Sequence, residues 1–367
     1  KTHKGAAFGF SKSTLDRAIS EAVERFAVSI YKIKSFLFAS SKELKGSFLA
    51  PNNFILFSEK QYQQKKFPYA RPSTSEKIHW VHGLDVSTQE KLNIPASLVF
   101  PDPKKGWTQF DKWTSNGLAA GKDESVVVQN GICELLERDT TMCWWMTRSN
   151  AIRISSNFLN QYGNVEKLTI LLQKYNYDLK VFFVRNDMGV ITAIAGIKSR
   201  TSKIFAFGSS CKLELSESIE SAILEALMVA RTQKILLKRK YRVVRVEKFI
   251  DHVMVPITKK YEKNFSFINN WKIAESRVMT EFIKEHPVTR DQLVKKISLA
   301  GYSIYFVNVT PDLLQKTGYI ICKTLIPGLH PLESNQNFLH LDTRRLSKFC
   351  GRSLRLKDIN ASPHPFG

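Results

Sequence analysis

Residues 115–139, SNGLAAGKDESVVVQNGICELLERD, run from a glycine-bearing turn into a long segment of helical periodicity. Val128, Ile132, Leu135 and Leu136 fall on one arc of a helix read over 123–145. Asn130, Glu134, Glu137 and Thr141 fall on another arc, at spacings of four, three and four. Glu134, Glu137 and Arg138 have an echo at 20–26, SEAVERF, where Glu21, Glu24 and Arg25 stand in the same order. The echo belongs to a helix starting near Thr14 and capped by Ser13 or Thr14. Its apolar stripe is Leu15, Ala18, Ile19, Ala22, Val23, Phe26 and Ile30. Like charges three apart destabilise an isolated helix by about 0.2–0.5 kcal/mol. One such pair reads as solvated surface. Two pairs, each continued by arginine, point to carboxylates that converge and need cations to stay ionised. Oxygen ligands suit Mg²⁺, which keeps waters and shares its shell with substrate phosphates.

Outward from this helix the chain alternates in kind. Residues 179–185, 189–197 and 203–210 are rich in β-branched and aromatic side chains, and Asn186-Asp187-Met188-Gly189 joins the first two as a hairpin turn. A third helix is expected over 216–238, carrying Glu217, Glu220 and Glu225 after Gly208-Ser209-Ser210. A helical segment near 274–299 precedes two more strands, at 303–310 and 319–326. Residues 65–77 read as a long exposed loop and 101–106 as a break. The fold class is α+β, with antiparallel sheets layered with helices. Glycine loops at 3–11 and 115–123 lead into the two Glu-pair helices, as loops that bring backbone N–H groups to phosphate do, but neither matches a Walker A loop or a dinucleotide fingerprint.

The chain has 367 residues, 43% of them hydrophobic, enough for a large core. No apolar run approaches the roughly 18–20 residues of a membrane span. Five cysteines without a Cys-x-x-Cys fit reduced cytoplasmic thiols better than disulfides or zinc, and Cys133 reads as a packed helix residue. The formal charge of +22 favours anionic partners, with the densest basic run at 231–248. No glycine–aromatic RNA-binding signature or helix-turn-helix accompanies that run, so nucleic acid is disfavoured as a partner.

Three blocks, residues 3–27, 115–139 and 207–231, resemble in that order the YcaO family of ATP-dependent enzymes that modify peptide backbones. The ending Pro363-His364-Pro365-Phe366-Gly367 is similar to the proline-rich C-terminus of azoline-forming members. The resemblance implies one YcaO-like catalytic domain over 1–367, built around a central ATP site, with a proline-containing tail over 355–367. It implies ATP and Mg²⁺ as cofactors. Glu21, Glu24, Glu134 and Glu137 match the metal–phosphate carboxylates, Arg138 an arginine at the nucleotide, and Lys4 the lysine of the first loop. Lys122 stands at a nucleotide-contact position where asparagine is common. Glu225 and Arg231 match the third-helix Glu and Arg, at a spacing one residue longer than usual. Arg17, Val126 and Met228 replace the usual serine, glutamate and glutamine, and Gly367 holds the terminal position near the reacting amide where proline is expected.

The activity implied is cyclodehydration of Cys, Ser or Thr in a ribosomally made precursor peptide to thiazoline or oxazoline. The implied partners are that peptide, leader and core, a separate leader-binding protein resembling an activating enzyme, and a flavin-dependent dehydrogenase. The alternatives are thioamide or amidine formation by the same activation, and a basic RNA-binding or scaffold protein with a decayed ATP site. His3 and His364 are candidate proton carriers, weighed against the commoner structural histidine.

Overall fold

The computed structural model describes residues 13–32, 35–101, 107–270 and 273–366. His3, Lys4 and Gly367 lie outside the described residues. The chain divides into two compact units: residues 1–135 with 297–329, and residues 136–296 with 330–367. The division falls inside the long helix Glu124–Thr147, between Glu134 and Glu137.

In the first unit, strands β1 (Leu37–Ala39), β2 (Ile78–Asp85), β3 (Lys91–Pro95) and β4 (Leu118–Gly121) come before the long helix. They join two strands from beyond residue 297 in one sheet. The hairpin β2–β3 was not anticipated, although Trp80, Val81, Leu92 and Ile94 mark it and all are buried. The first helix, Ser13–Ala27, starts where expected but ends short of Ile30, and burial is confined to its end: Ala27 and the following Val28 are 1% exposed, whereas Leu15 is 68% and Ile19 44% exposed. The expected stripe is therefore only partly a core face.

The second unit holds β5 (Ile152–Arg153), β6 (Tyr177–Arg185), β7 (Ile191–Ser199) and β8 (Phe205–Ser210), paired antiparallel in that order. The β6–β7 turn is the expected one. Gly189 has φ +74° and the Asn186 side chain accepts the N–H groups of Met188 and Val190, each at 3.0 Å. Helix Leu215–Lys238 lies directly on β8, because Gly208 has no side chain. A Cβ there would stand 2.4 Å from both the Ala222 carbonyl oxygen and the Ala226 nitrogen. In the later half of helix Glu124–Thr147, Met142, Cys143, Trp144, Trp145 and Met146 are buried in an aromatic core with Phe207, Phe265 and Phe366. Thr141, expected on the polar arc, is 0% exposed there.

The segment read as one helix over 274–299 is two, Ser276–Ile283 and Arg290–Leu299. Pro287 explains the break, since it lacks an N–H and disfavours helix at His286. His286 instead accepts the Ile191 N–H on Nδ1 at 3.1 Å.

Back in the first unit, β9 (Tyr305–Asn308) and β10 (Ile320–Leu325) complete the sheet order β1-β2-β9-β10-β4, with β3 on β2. Its core gathers Ile94, Val99, Leu118 and Ile321. None of the five cysteines is in a disulfide, and Cys133 is buried as expected. Among the described residues no helix is long and apolar enough to cross a membrane.

Candidate functional site

In the first unit, helix Ser13–Ala27 packs on β4. Glu24 Oε1 accepts the Ala120 N–H at 3.0 Å. Glu134 Oε2 accepts the N–H of Gly117 at 2.9 Å. The turn into β4 is thus fixed by a carboxylate, and Gly117 sits at φ +76°, a left-handed conformation that favours glycine. The same turn is held from β10. Lys323 Nζ donates to the carbonyls of Thr114 (2.8 Å) and Asn116 (2.6 Å) and lies 5.5 Å from the Trp113 ring centre.

Charge in this group is unbalanced. Burial, Glu134 and Glu21 push the Glu24 carboxyl up to about 8, against the opposing pull of the Ala120 N–H and Arg25. Burial draws the Lys323 ammonium down to about 8, and Glu134 resists that shift. A carboxyl that burial and a neighbouring carboxylate make costly to ionise fits a divalent cation, which would restore its charged state. Arg25 does not act here as Arg138 does. It folds back on Glu21 as an i,i+4 ion pair at 2.5 Å, about half exposed.

In the second unit, Glu137 is 7% exposed. Its Oε1 accepts the Ser209 hydroxyl at 2.9 Å and its Oε2 the Cys211 N–H at 3.3 Å. Glu225 Oε2 accepts the Ser209 N–H at 2.6 Å. Arg138 Nη1 lies 3.2 Å from Glu137 and 4.0 Å from Glu225. The close approach at Gly208 is what brings Glu225 to the end of β8.

Lys122 and Arg231 are exposed, as is Val126 at 49%. Glu217 is exposed and Glu220 accepts from Asn164 Nδ2 at 3.2 Å, so neither joins Glu225. Among the described residues no three His, Cys, Asp or Glu side chains stand together so as to hold a metal ion. Two smaller groups appear instead, Glu24 with Glu134 and Glu137 with Glu225. That arrangement suits Mg²⁺, which usually takes one or two carboxylates and completes its shell with phosphate and water.

Sequence reasoning missed Lys323 and Ser209. A lone lysine inside the apolar run 319–326 was the available signal for the first, because a buried ammonium requires partners.

The C-terminal tail belongs to the second unit; residues 355–358 are exposed and its packed part is 363–366. Pro363, His364, Pro365 and Phe366 are all buried, and Trp145 Nε1 donates to the Ser362 carbonyl at 2.8 Å. His364 Nδ1 accepts the Phe366 N–H at 3.2 Å, and Nε2 faces the Glu333 carbonyl at 2.5 Å. That pattern assigns the proton to Nε2 of a neutral ring. The His252 ring stacks on it at 3.9 Å. Burial first, then His252, Arg138 and His330, hold the His364 pKa well below its ordinary 6.5. These contacts make His364 a structural residue.

They also fix the sign of its pH dependence. The unfolded histidine gains a proton near pH 6.5 and the folded one does not. Its stability contribution is complete above that pH and is lost as pH falls, by about 1.4 kcal/mol per unit. His286, likewise held down mainly by burial, adds to the same slope. Urea unfolding between pH 7 and pH 5 is expected to show this loss, and His364→Gln to remove about one proton from the slope.

The fold and these groups define an α+β protein with helix-borne carboxylates suited to a divalent cation and phosphate. Over residues 12–330 the chain matches the family described as YcaO cyclodehydratase, ATP- and Mg²⁺-binding, and it belongs to that family. Similar solved structures include a heterocyclase in complex with substrate and cofactor, at TM-score 0.78 and 19% identity, covering 98% of this chain and 49% of that one. The microcin synthetase McbBCD complex of E. coli gives TM-score 0.69 at 14% identity, over 97% of this chain and 88% of that one. YcaO from Methanopyrus kandleri, bound with AMPPCP and Mg²⁺, gives TM-score 0.55 at 18% identity, over 86% and 76%.

Among curated relatives, an uncharacterized protein in the tfuA 3′ region of Rhizobium leguminosarum bv. trifolii is 26% identical over 125 residues, 34% of this chain and 30% of that protein. An uncharacterized protein of Methanothermobacter thermautotrophicus is 21% identical over 327 residues, 85% of this chain and 77% of that one. The chain thus spans about half the length of the first heterocyclase and less than a third of the Rhizobium protein.

Proposed function

We propose that this chain is the ATP-dependent cyclodehydratase subunit of a peptide-modifying complex, acting in the cytoplasm as one catalytic domain over 1–367. The observation that carries the reading is the pair of carboxylate groups on the family's helices, Glu24 with Glu134 and Glu137 with Glu225 beside Arg138. In this reading Glu21, Glu24, Glu134 and Glu137 hold Mg²⁺ and the phosphates. Arg138 neutralises developing charge, and Lys4, Lys122, Glu225 and Arg231 contact the nucleotide.

A Cys, Ser or Thr side chain of the precursor adds to the preceding amide carbonyl. The resulting oxyanion takes the γ-phosphoryl group of ATP, releasing ADP, and loss of phosphate leaves the azoline. Mg²⁺–ATP supplies the electrophilic phosphoryl group; the protein supplies position and fixed charge. Ser209 and the Cys211 N–H orient Glu137, and the Ala120 and Gly117 N–H groups orient Glu24 and Glu134. The Pro363-His364-Pro365 segment, similar to that of azoline-forming members, supports azoline formation over thioamide or amidine formation. The partners in this reading are the precursor peptide, a separate leader-binding protein and a flavin-dependent dehydrogenase.

The test is reconstitution with the precursor and the leader-binding partner. Phosphate release that depends on both, with a loss of one water per modified residue, is the expected result. Release accompanied by gain of sulfur in exchange for oxygen would assign the chain to thioamide formation. No release in the full complex would leave a scaffold.

A further inference from the structure

The second unit carries a cleft of about 710 Å³ that takes no part in the site described above. Its volume lies in the range of ligand pockets, roughly 300–1,000 Å³. The floor is apolar: Ile204, Phe205, Pro256, Ile257 and Phe265. The rim is basic. Lys198, Lys203, Lys259 and Lys263 line it, against one carboxylate, Glu262. All four lysines are exposed, and among the described residues none forms a salt bridge. Asp178 faces Lys198 across the β6–β7 ladder but is held by Arg200 at 2.6 Å.

Lys198 Nζ lies 5.9 Å from the Phe205 ring centre, and the surplus of ammonium groups over carboxylates around an apolar floor matches a ligand with carboxylates at its edges and apolar side chains between them. An extended peptide does this by alternation, since successive side chains point to opposite faces. No arginine lines the cleft to grip phosphate in a bidentate fork, and Glu262 on the rim opposes a polyphosphate.

We propose that this cleft docks an acidic, apolar-containing segment of the precursor peptide. Phe205 opens β8 and Ser209, near its end, meets Glu137. Four strand residues span about 13 Å, so docking and chemistry share one rigid strand. The inference rests on the peptide-substrate reading but not on the ATP chemistry. Phosphate release without docking would sink it alone, and docking without phosphate release would sink only the cyclodehydratase reading.

The probe is a fluorescein-labelled synthetic peptide alternating glutamate and leucine, followed by anisotropy with the full chain. Saturable binding that weakens with salt is expected, because exposed charge pairs are screened. Lys198→Glu with Lys263→Glu should weaken it about tenfold. Glu262→Gln should tighten it, a gain that misfolding cannot imitate. Unchanged affinity in the double lysine variant would overturn the proposal. So would a single-stranded oligonucleotide of matched charge that competes as well as the peptide, which would give the cleft to nucleic acid.

Discussion

Glu137→Gln in the reconstituted complex is expected to lower phosphate release at least about a hundredfold, the scale of removing one preorganised electrostatic contact. The fold should survive. A glutamine can still accept the Cys211 N–H through its oxygen and donate to the Ser209 oxygen through its amide, keeping two of the contacts that Glu137 makes. The stability loss should stay near about 1 kcal/mol. What disappears is charge: Arg138, 3.2 Å away, keeps Glu225 but loses its nearer carboxylate. Glu134→Gln should behave alike, since its amide oxygen can still accept from Gly117.

Arg25→Ala is the contrasting control. Its ion pair with Glu21 is exposed, and such pairs contribute about 0–1 kcal/mol. Turnover should stay within a fewfold of the parent chain. Unchanged turnover in both glutamine variants would sink the carboxylate assignment. Loss of turnover in Arg25→Ala equal to theirs would show that the two arginines are equivalent after all.

The echo of Glu-x-x-Glu-Arg was legible because helical spacing is read from sequence alone, and both helices formed where expected. So were β6, β7 and β8, whose apolar runs are bounded by Asn186–Gly189 and by polar residues. Less was legible where tertiary contacts decide. Leu15 and Ile19 have the spacing of a buried stripe and remain exposed, since periodicity states which residues share a face and not what covers it. The different fates of Arg25 and Arg138 depend on what each reaches, Glu21 on its own helix in one case and Glu225 on another helix in the other. Gly208 gave no local signal, because its reason is the backbone of a helix beginning several residues later. The tail sequence alone left a frayed terminus as the lesser reading. Only its partners, Trp145, His252 and Glu333, show it to be interior.

Asp139 follows Arg138 directly, and Asp139→Ala is expected to cost about 3–5 kcal/mol of unfolding free energy. Asp139 and Arg345 have side chains 0% and 2% exposed. Asp139 Oδ1 accepts Arg345 Nε at 2.8 Å and the His330 N–H at 2.7 Å, while Oδ2 lies 2.5 Å from Arg345 Nη2. Arg345 Nη2 also reaches Asp187 at 2.8 Å, at the β6–β7 turn. Truncating Asp139 leaves a buried guanidinium with one carboxylate and strips the His330 N–H of its acceptor, adding about 1–3 kcal/mol for that group within the total. Asp139→Asn should be nearly as harmful, because its amide sets a donor against the donors of Arg345. Asp139→Leu combined with Arg345→Met should recover part of the loss, since an apolar pair of similar volume often replaces a buried ion pair without penalty, while Asp187 and the His330 N–H stay without the partners they had. Urea unfolding of the four chains checks this ordering. A loss under about 1 kcal/mol in Asp139→Ala would mean that solvent reaches the pair, and a double variant worse than either single change would mean that the charges themselves hold helix Thr343–Cys350 in place.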